Sequence, residues 1–265
     1  MKRLSTVVIV SGLVLLCHIK ATGQAPLTYV NTFIGTAPAN TESSRKHGTG
    51  TEEKGQTYPG VGRPFGMTQW TPETRTTEIK CVSPYYYNDK YITGFRGSHW
   101  MSGSCTQDYG SATIMPFTTS KPDTLKSGPQ SKYNHKSESA TPGYYRVDLD
   151  SYSVTTELTG TTRAGFIRLT INSKSKCYIL IRMNSDEKQG RVWYNKETKE
   201  IQGYNPVHRI YQGSGKPAGF SGYFVIRTDK PVVVTDYLRN EQQIVLSAGD
   251  EKSLLLKIGT SFTSF

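Results

Sequence analysis

The chain has 265 residues, with 32 Lys and Arg against 21 Asp and Glu for a formal charge of +11. That length is enough for one large core. The positive charges are scattered, with no Lys/Arg block, so the composition points to a solvated, mildly basic surface and away from nucleic-acid binding. There is no internal repeat and no coiled-coil heptad, which excludes solenoid and rod architectures.

The first element is an export signal over residues 1–23. Lys2 and Arg3 provide a basic start, Leu4 to Ile19 is mostly apolar, and Ala21-Thr22-Gly23 supplies small residues before a cut at Gln24. The apolar run is short and interrupted for a membrane span. A lipoprotein reading would use Cys17, but the bulky Leu16 before it argues against lipidation. The expected location is the periplasm or the cell surface.

After the signal, Leu27–Ile34 reads as a strand, and Asn40–Gly55, rich in Thr, Ser, Gly and charge, as an exposed insertion. The segment from Thr57 to Gly110 is the most informative. It carries Thr57-Tyr58-Pro59-Gly60, Pro64-Phe65-Gly66-Met67 and Gly94-Phe95-Arg96-Gly97-Ser98-His99-Trp100. Met101-Ser102-Gly103-Ser104-Cys105-Thr106-Gln107-Asp108-Tyr109-Gly110 follows at once. Gly and Pro set unusual backbone angles there while aromatic and polar side chains crowd one loop. Such a loop suits sugars, whose C–H faces stack on rings and whose hydroxyls take hydrogen bonds. Glu73 and Arg75 read as a surface ion pair, and alternation in Tyr85-Tyr86-Tyr87 favours core packing over a binding stripe.

Met67–Thr71 and Ala112–Met115 are short expected strands. From about Gly143 the apolar period is two: Tyr145, Val147, Leu149; Val154, Thr156, Leu158; Ile167, Leu169, Ile171. Further runs follow at Cys177–Met183, Gly222–Thr228, Pro231–Tyr237, Gln243–Leu246 and Ser253–Ile258, with turns at Asn195–Glu200 and Ala248–Asp250. This count exceeds what one flat sheet holds, so the fold class is all-β, a two-sheet antiparallel β-sandwich with long N-terminal loops. Of the three cysteines after the signal, Cys81 and Cys105 could bridge, and Cys177 reads as a buried free thiol; no Cys/His spacing marks zinc.

The motifs above resemble the N-terminal domain of the family 92 glycoside hydrolases, exported bacterial exo-α-mannosidases. The likeness opens at Tyr29-Val30-Asn31-Thr32-Phe33-Ile34-Gly35-Thr36. It runs through Thr57–Gly60, Pro64–Met67, His99–Gly110 with Met115-Pro116, Thr141–Val147 and Thr159–Phe166. It ends with Asn205–Tyr211 and Ala218–Gly222, so that residues 24–265 are covered nearly throughout. The resemblance implies a supersandwich-type domain followed, in the family, by a helical (α/α)6 barrel that this chain lacks. In the family that barrel carries the general acid, the base carboxylates and most ligands of an essential calcium; the resemblance therefore implies no catalytic residue and no metal ligand here. The implied reaction is inverting hydrolysis, with carboxylates roughly 6.5–9.5 Å apart.

The substrate-binding residues the resemblance implies are Trp100 as a stacking platform, Asp108 as a hydroxyl acceptor, His99 as a hydrogen bonder and Cys105 in a backbone-shaping role. The first three have plain structural alternatives: Trp100 as a loop anchor, Asp108 as a turn residue holding backbone amides, His99 as a structural hydrogen bonder. His208-Arg209 could face the second domain or form a strand-edge pair. The implied ligands are α-mannosides or mannose-containing glycans. The expected partners are a separate catalytic chain, or self-association through an apolar docking face. A retained non-catalytic surface or adhesive module and a self-sufficient glycosidase are the competing functions.

Overall fold

The computed structural model describes residues 26–38, 42, 55–75, 82–103, 108–120, 128–184, 189–208 and 217–265. The chain divides into residues 1–30 and 31–265. In the first unit the described part is a 3-10 turn, Pro26–Tyr29, with the Val30 N–H donating to the Leu27 carbonyl at 3.2 Å. The strand expected over Leu27–Ile34 is therefore corrected. From Asn31 the second unit also turns: the Phe33 N–H donates to Asn31 Oδ1 at 3.0 Å, and the Thr36 N–H to the Phe33 carbonyl at 3.1 Å. A short Asn side chain that captures a nearby amide competes with extended pairing. The export signal, Cys81, Cys105 and most of the 40–55 insertion lie outside the described residues.

All strand pairing is antiparallel. One sheet has the order β1-β3-β4-β10-β15-β14, comprising Gln69–Glu73, Gly94–Ser98, Ser111–Thr119, Lys176–Asn184, Gln243–Gly249 and Val233–Leu238. The other has the order β11-β12-β13-β16-β9-β8-β7-β6. Its strands are Arg191–Asn195, Glu200–His208, Pro217–Thr228, Ser253–Ser261, Ala164–Ile171, Val154–Gly160, Tyr144–Leu149 and Ser139–Thr141. A two-stranded ribbon pairs β2 (Tyr91–Ile92) with β5 (Ser131–Lys132).

The alternation read from the sequence is what joins the two sheets. Tyr145, Val147 and Leu149 of β7, Leu158 of β8, Ile167 and Leu169 of β9, and Leu254 and Leu256 of β16 are buried in one core. Across from them stand Trp70, Phe95, Ile114, Ile179, Ile181, Ile244 and Leu246 of the six-stranded sheet. Trp70 spans the interlayer space closely enough that a Cβ on Gly165 of β9 would lie 2.0 Å from its indole, so only glycine fits there. This contact fixes β1, and the loops flanking it, against the larger sheet.

Strand β10 departs from simple alternation, with Cys177 through Ile181 buried in succession. Phe117, Tyr178, Leu180 and Val245 form a second cluster, and the Phe117 and Tyr178 rings stack at 5.6 Å. Cys177 is a buried free thiol, pushed up to about 12 by burial, which leaves it protonated and unreactive.

Candidate functional site

The three motifs singled out in the sequence meet at one cavity. Tyr58 comes from the first, Gly66 and Met67 from the second, Ser98, His99 and Trp100 from the third, and Met101 and Ser102 from the run that follows it; together with Gln69 they line a space of about 340 Å³. β1 supplies Gln69 and its neighbour β3 ends at Ser98, with Gln69 paired to Ser98 in register, so the cavity lies where these two strands run out. Of the residues predicted for the site, the structure brings His99 and Trp100 to this cavity. Asp108 is adjacent but lies behind its wall, and Cys105 falls outside the described residues. Gln69, Ser98 and Ser102 were not named as site residues; Ser98 and Ser102 lie within the quoted motifs, whereas Gln69 is marked only as a polar residue at the start of a strand.

Trp100 is only 2 % exposed. Its indole packs on the Tyr58 ring at 5.9 Å in a cluster with Tyr85, and the Tyr58 hydroxyl donates to the Trp100 carbonyl at 2.9 Å. The tryptophan thus anchors the loop and contributes a narrow part of the cavity lining. His99 is held from three sides. Its Nδ1–H donates to the Tyr109 carbonyl at 2.8 Å, which leaves Nε2 to accept from the Thr68 hydroxyl at 3.1 Å. Burial lowers the imidazole below its ordinary value, against the opposing pull of Asp108 and the Tyr109 carbonyl, so the ring is neutral. Phe262 packs on it at 4.8 Å.

The Asp108 carboxylate is fully enclosed. Its Oδ1 accepts the N–H groups of His99 at 2.9 Å and of Tyr109 at 2.8 Å, and Oδ2 lies 3.3 Å from Arg96 Nε. In this chain it braces the loop that carries His99. Gly110, at φ 61, then turns the chain into β4 while packing closely on β13, where a Cβ on Gly222 would sit 2.1 Å from the Gly110 carbonyl.

Arg96 links Asp108 to a larger charge cluster. Its Nη1 donates to Glu73 Oε2 at 3.0 Å and its Nη2 to the Ser111 hydroxyl. Glu73, 2 % exposed, also accepts from Thr113 Oγ1 at 2.6 Å, from Thr93 Oγ1 at 2.9 Å and from Arg182. The expectation of a Glu73–Arg75 surface pair is therefore corrected: Arg75 pairs with Asp89 at 2.8 Å and stands 4.2 Å over the Tyr86 ring. Strand alternation explains the exchange. Phe95, Ile114 and Ile181 point into the core, which leaves Arg96, Thr113 and Arg182 together on the opposite face of the sheet.

Tyr85, buried as expected although in a loop, leads from the Trp100 cluster to a second enclosed carboxylate. Glu138 accepts from Tyr85 Oη at 3.0 Å and Tyr145 Oη at 2.5 Å, and meets His135 Nδ1 at 2.5 Å. His135 Nε2 lies 2.8 Å from the Tyr87 carbonyl, and its ring stacks on Tyr87 at 3.8 Å. Burial, then the Glu138 charge, raises the Tyr85 and Tyr145 phenols well above their ordinary value. The sign of the pH dependence follows. Unfolded tyrosines ionise near pH 10 while these stay protonated when folded, so the stability they carry is complete below about pH 10 and is lost above it. Absorbance of phenolate at 295 nm, followed as the pH is raised past 10, should show these two tyrosines ionising only together with loss of near-UV circular dichroism. Complete titration of all 17 tyrosines with tertiary signal intact would contradict the cluster.

Hydroxyls, an amide and a neutral imidazole line the cavity, and no carboxylate does so among the described residues. Glu73, Asp108 and Glu138 are committed to partners inside the protein. No group of three or more His, Cys, Asp or Glu that could hold a metal occurs among the described residues.

Residues 29–262 match the family model described as the glycosyl hydrolase family 92 N-terminal domain. The fold is similar to that of a family GH92 inverting mannosidase from Bacteroides thetaiotaomicron VPI-5482. The two are 23% identical at a TM-score of 0.71, over 91% of this chain and 32% of the other. It is also similar to a family GH92 α-mannosidase from Bacteroides thetaiotaomicron, at 24% identity and a TM-score of 0.67, over 90% of this chain and 34% of that one. This chain thus spans about a third of the length of those solved relatives. No curated protein matches it.

Proposed function

Because this chain belongs to glycosyl hydrolase family 92, as its N-terminal domain over residues 29–262, we propose that it is the carbohydrate-binding half of an exported α-mannosidase. The cavity at the ends of β1 and β3 grips a mannoside, within a calcium-dependent inverting hydrolysis whose acid, base and metal ligands belong to groups outside the described residues. The observation that carries this reading is the composition of the cavity. Three motifs converge to build a polar, ring-walled space, and among the described residues none brings a carboxylate to it. A site without a carboxylate pair can hold a sugar and cannot by itself protonate a leaving oxygen while activating water.

In this reading Gln69, Ser98 and Ser102 exchange hydrogen bonds with sugar hydroxyls, and Met67, Trp100 and Met101 meet the C–H faces. His99 shapes the wall and Asp108 sets the loop behind it. A catalytic chain or domain completes the pocket. The aromatic outer face of the larger sheet, where Trp193, Tyr204, Tyr223 and Phe265 touch one another, is an apolar surface available to such a partner or to a second copy.

Isothermal titration with mannose and with α-mannobiose, on the chain alone and with a family catalytic chain added, should give heat of binding in at least the second condition. No heat in either removes the sugar-binding claim. A glycosidase assay on the chain alone, with calcium, separates the competing enzyme reading. Turnover abolished by mutating one of its own carboxylates would make it a self-sufficient hydrolase instead.

A further inference from the structure

We propose that Phe65, with Met101, forms an apolar lip at the mouth of the cavity and stacks on the second sugar of a disaccharide whose first ring is held inside. This rests on the mannoside-binding reading and adds to it a recognition element for the unit outside the cavity.

Phe65 combines two features that each cost stability. Its side chain is fully exposed, at 105% of the reference value, and its backbone sits at φ 58, a left-handed conformation unusual for a bulky residue. Neither arises from a slack loop. The Gly66 N–H donates to the Arg63 carbonyl at 2.9 Å, Met67 N–H to the Thr162 carbonyl at 2.8 Å, and Gly62 N–H to the Pro142 carbonyl at 3.1 Å. The turn is thus pinned on both sides to the larger sheet and its loops, and it holds a phenyl ring in water. Strain kept in place by surrounding structure is characteristic of sites that meet a ligand.

Position and chemistry narrow the ligand. Gly66 and Met67, the next two residues, line the cavity, and Met101, another lining residue, is itself 64% exposed. The exposed Met101 and the turn that carries Phe65 therefore adjoin a space walled by Gln69, Ser98, His99 and Ser102. A ligand with hydroxyls around its edge and C–H groups on its faces matches polar walls beside exposed apolar groups, and that is a pyranoside. At about 340 Å³ the cavity has the size of a small-ligand site.

The test compares the full wild-type chain with Phe65→Gly, Phe65→Ala and Phe65→Trp, titrated with mannose and with α-mannobiose, and adds a thermal melt. Phe65→Gly and Phe65→Ala should lower the ratio of mannobiose to mannose affinity by about three- to ten-fold, and Phe65→Trp should keep it. Phe65→Gly should also melt no lower than wild type, because glycine adopts this φ without strain. An unchanged affinity ratio, or equal losses for both sugars, overturns the lip while leaving the mannoside site in place. A wild-type chain that binds neither sugar, with or without a catalytic chain, overturns the site and the lip together.

Discussion

Replacing Arg96 with methionine should lower the unfolding free energy by about 3–5 kcal/mol, the usual cost of removing one partner from a buried ion pair. Arg96 has no exposed surface and reaches in three directions, to Glu73, Ser111 and Asp108. Its loss leaves two enclosed carboxylates facing an apolar side chain. Arg96→Lys should cost nearly as much, since a single ammonium cannot replace a planar fork that spans three acceptors. The triple change Arg96→Met, Glu73→Gln, Asp108→Asn should recover part of the loss, because it removes the three fully buried charges and leaves unpaired only Arg182, which is 26% exposed. Urea midpoints at constant m-value measure all three, and a cost below about 1 kcal/mol for Arg96→Met would show that the cluster does not hold the sheet. The effect extends to the site. Asp108 fixes the His99 amide, so slackening Arg96 frees the loop that walls the cavity, and sugar affinity should fall with stability.

The sandwich was legible because a β-sheet core writes itself as a period of two. β7, β8 and β9 follow the sequence pattern almost residue for residue, and Cys177–Met183 sits within β10. β11 and β12 were not legible. Glu200 and Gln202 fit an outward polar face, but on the inward face Ile201 is followed by Gly203 and the buried Asn205, which leaves too short an apolar run to read, although the pair forms a regular hairpin in register from Arg191–Tyr204 to Asn195–Glu200. Of the site, the motifs announced which segments converge, because their Gly and Pro residues specify turns. They could not announce direction. Trp100 and Asp108 sit in the expected loop, yet one anchors it from within and the other braces it from behind. The partners that decide this, Tyr58 for Trp100 and Arg96 for Asp108, lie on other segments. The buried charge cluster was invisible for the same reason: Glu73 meets Arg96 and Arg182 only after three strands are laid side by side.

The second large effect is expected at Glu138. Its carboxylate, 1 % exposed, is the common acceptor of two tyrosine hydroxyls and of His135, and it ties the 82–91 loop to β7. Glu138→Ala removes that acceptor and opens a void, stranding the Tyr85 and Tyr145 hydroxyls where water does not reach. Each unsatisfied buried donor costs roughly 1–3 kcal/mol, so a total near 3–5 kcal/mol is expected. Glu138→Gln preserves the shape and one carbonyl acceptor but brings an amide donor against the second group, and its cost should be about half as large. The two variants separate hydrogen-bond geometry from space filling, and urea denaturation reads both. Equal, small losses would mean that the tyrosines find other partners and that the loop is held by ring packing alone. A large loss for both, with the Trp100 fluorescence environment altered, would show instead that this carboxylate supports the aromatic floor of the cavity from beneath, since Tyr85 belongs to the same cluster as Trp100.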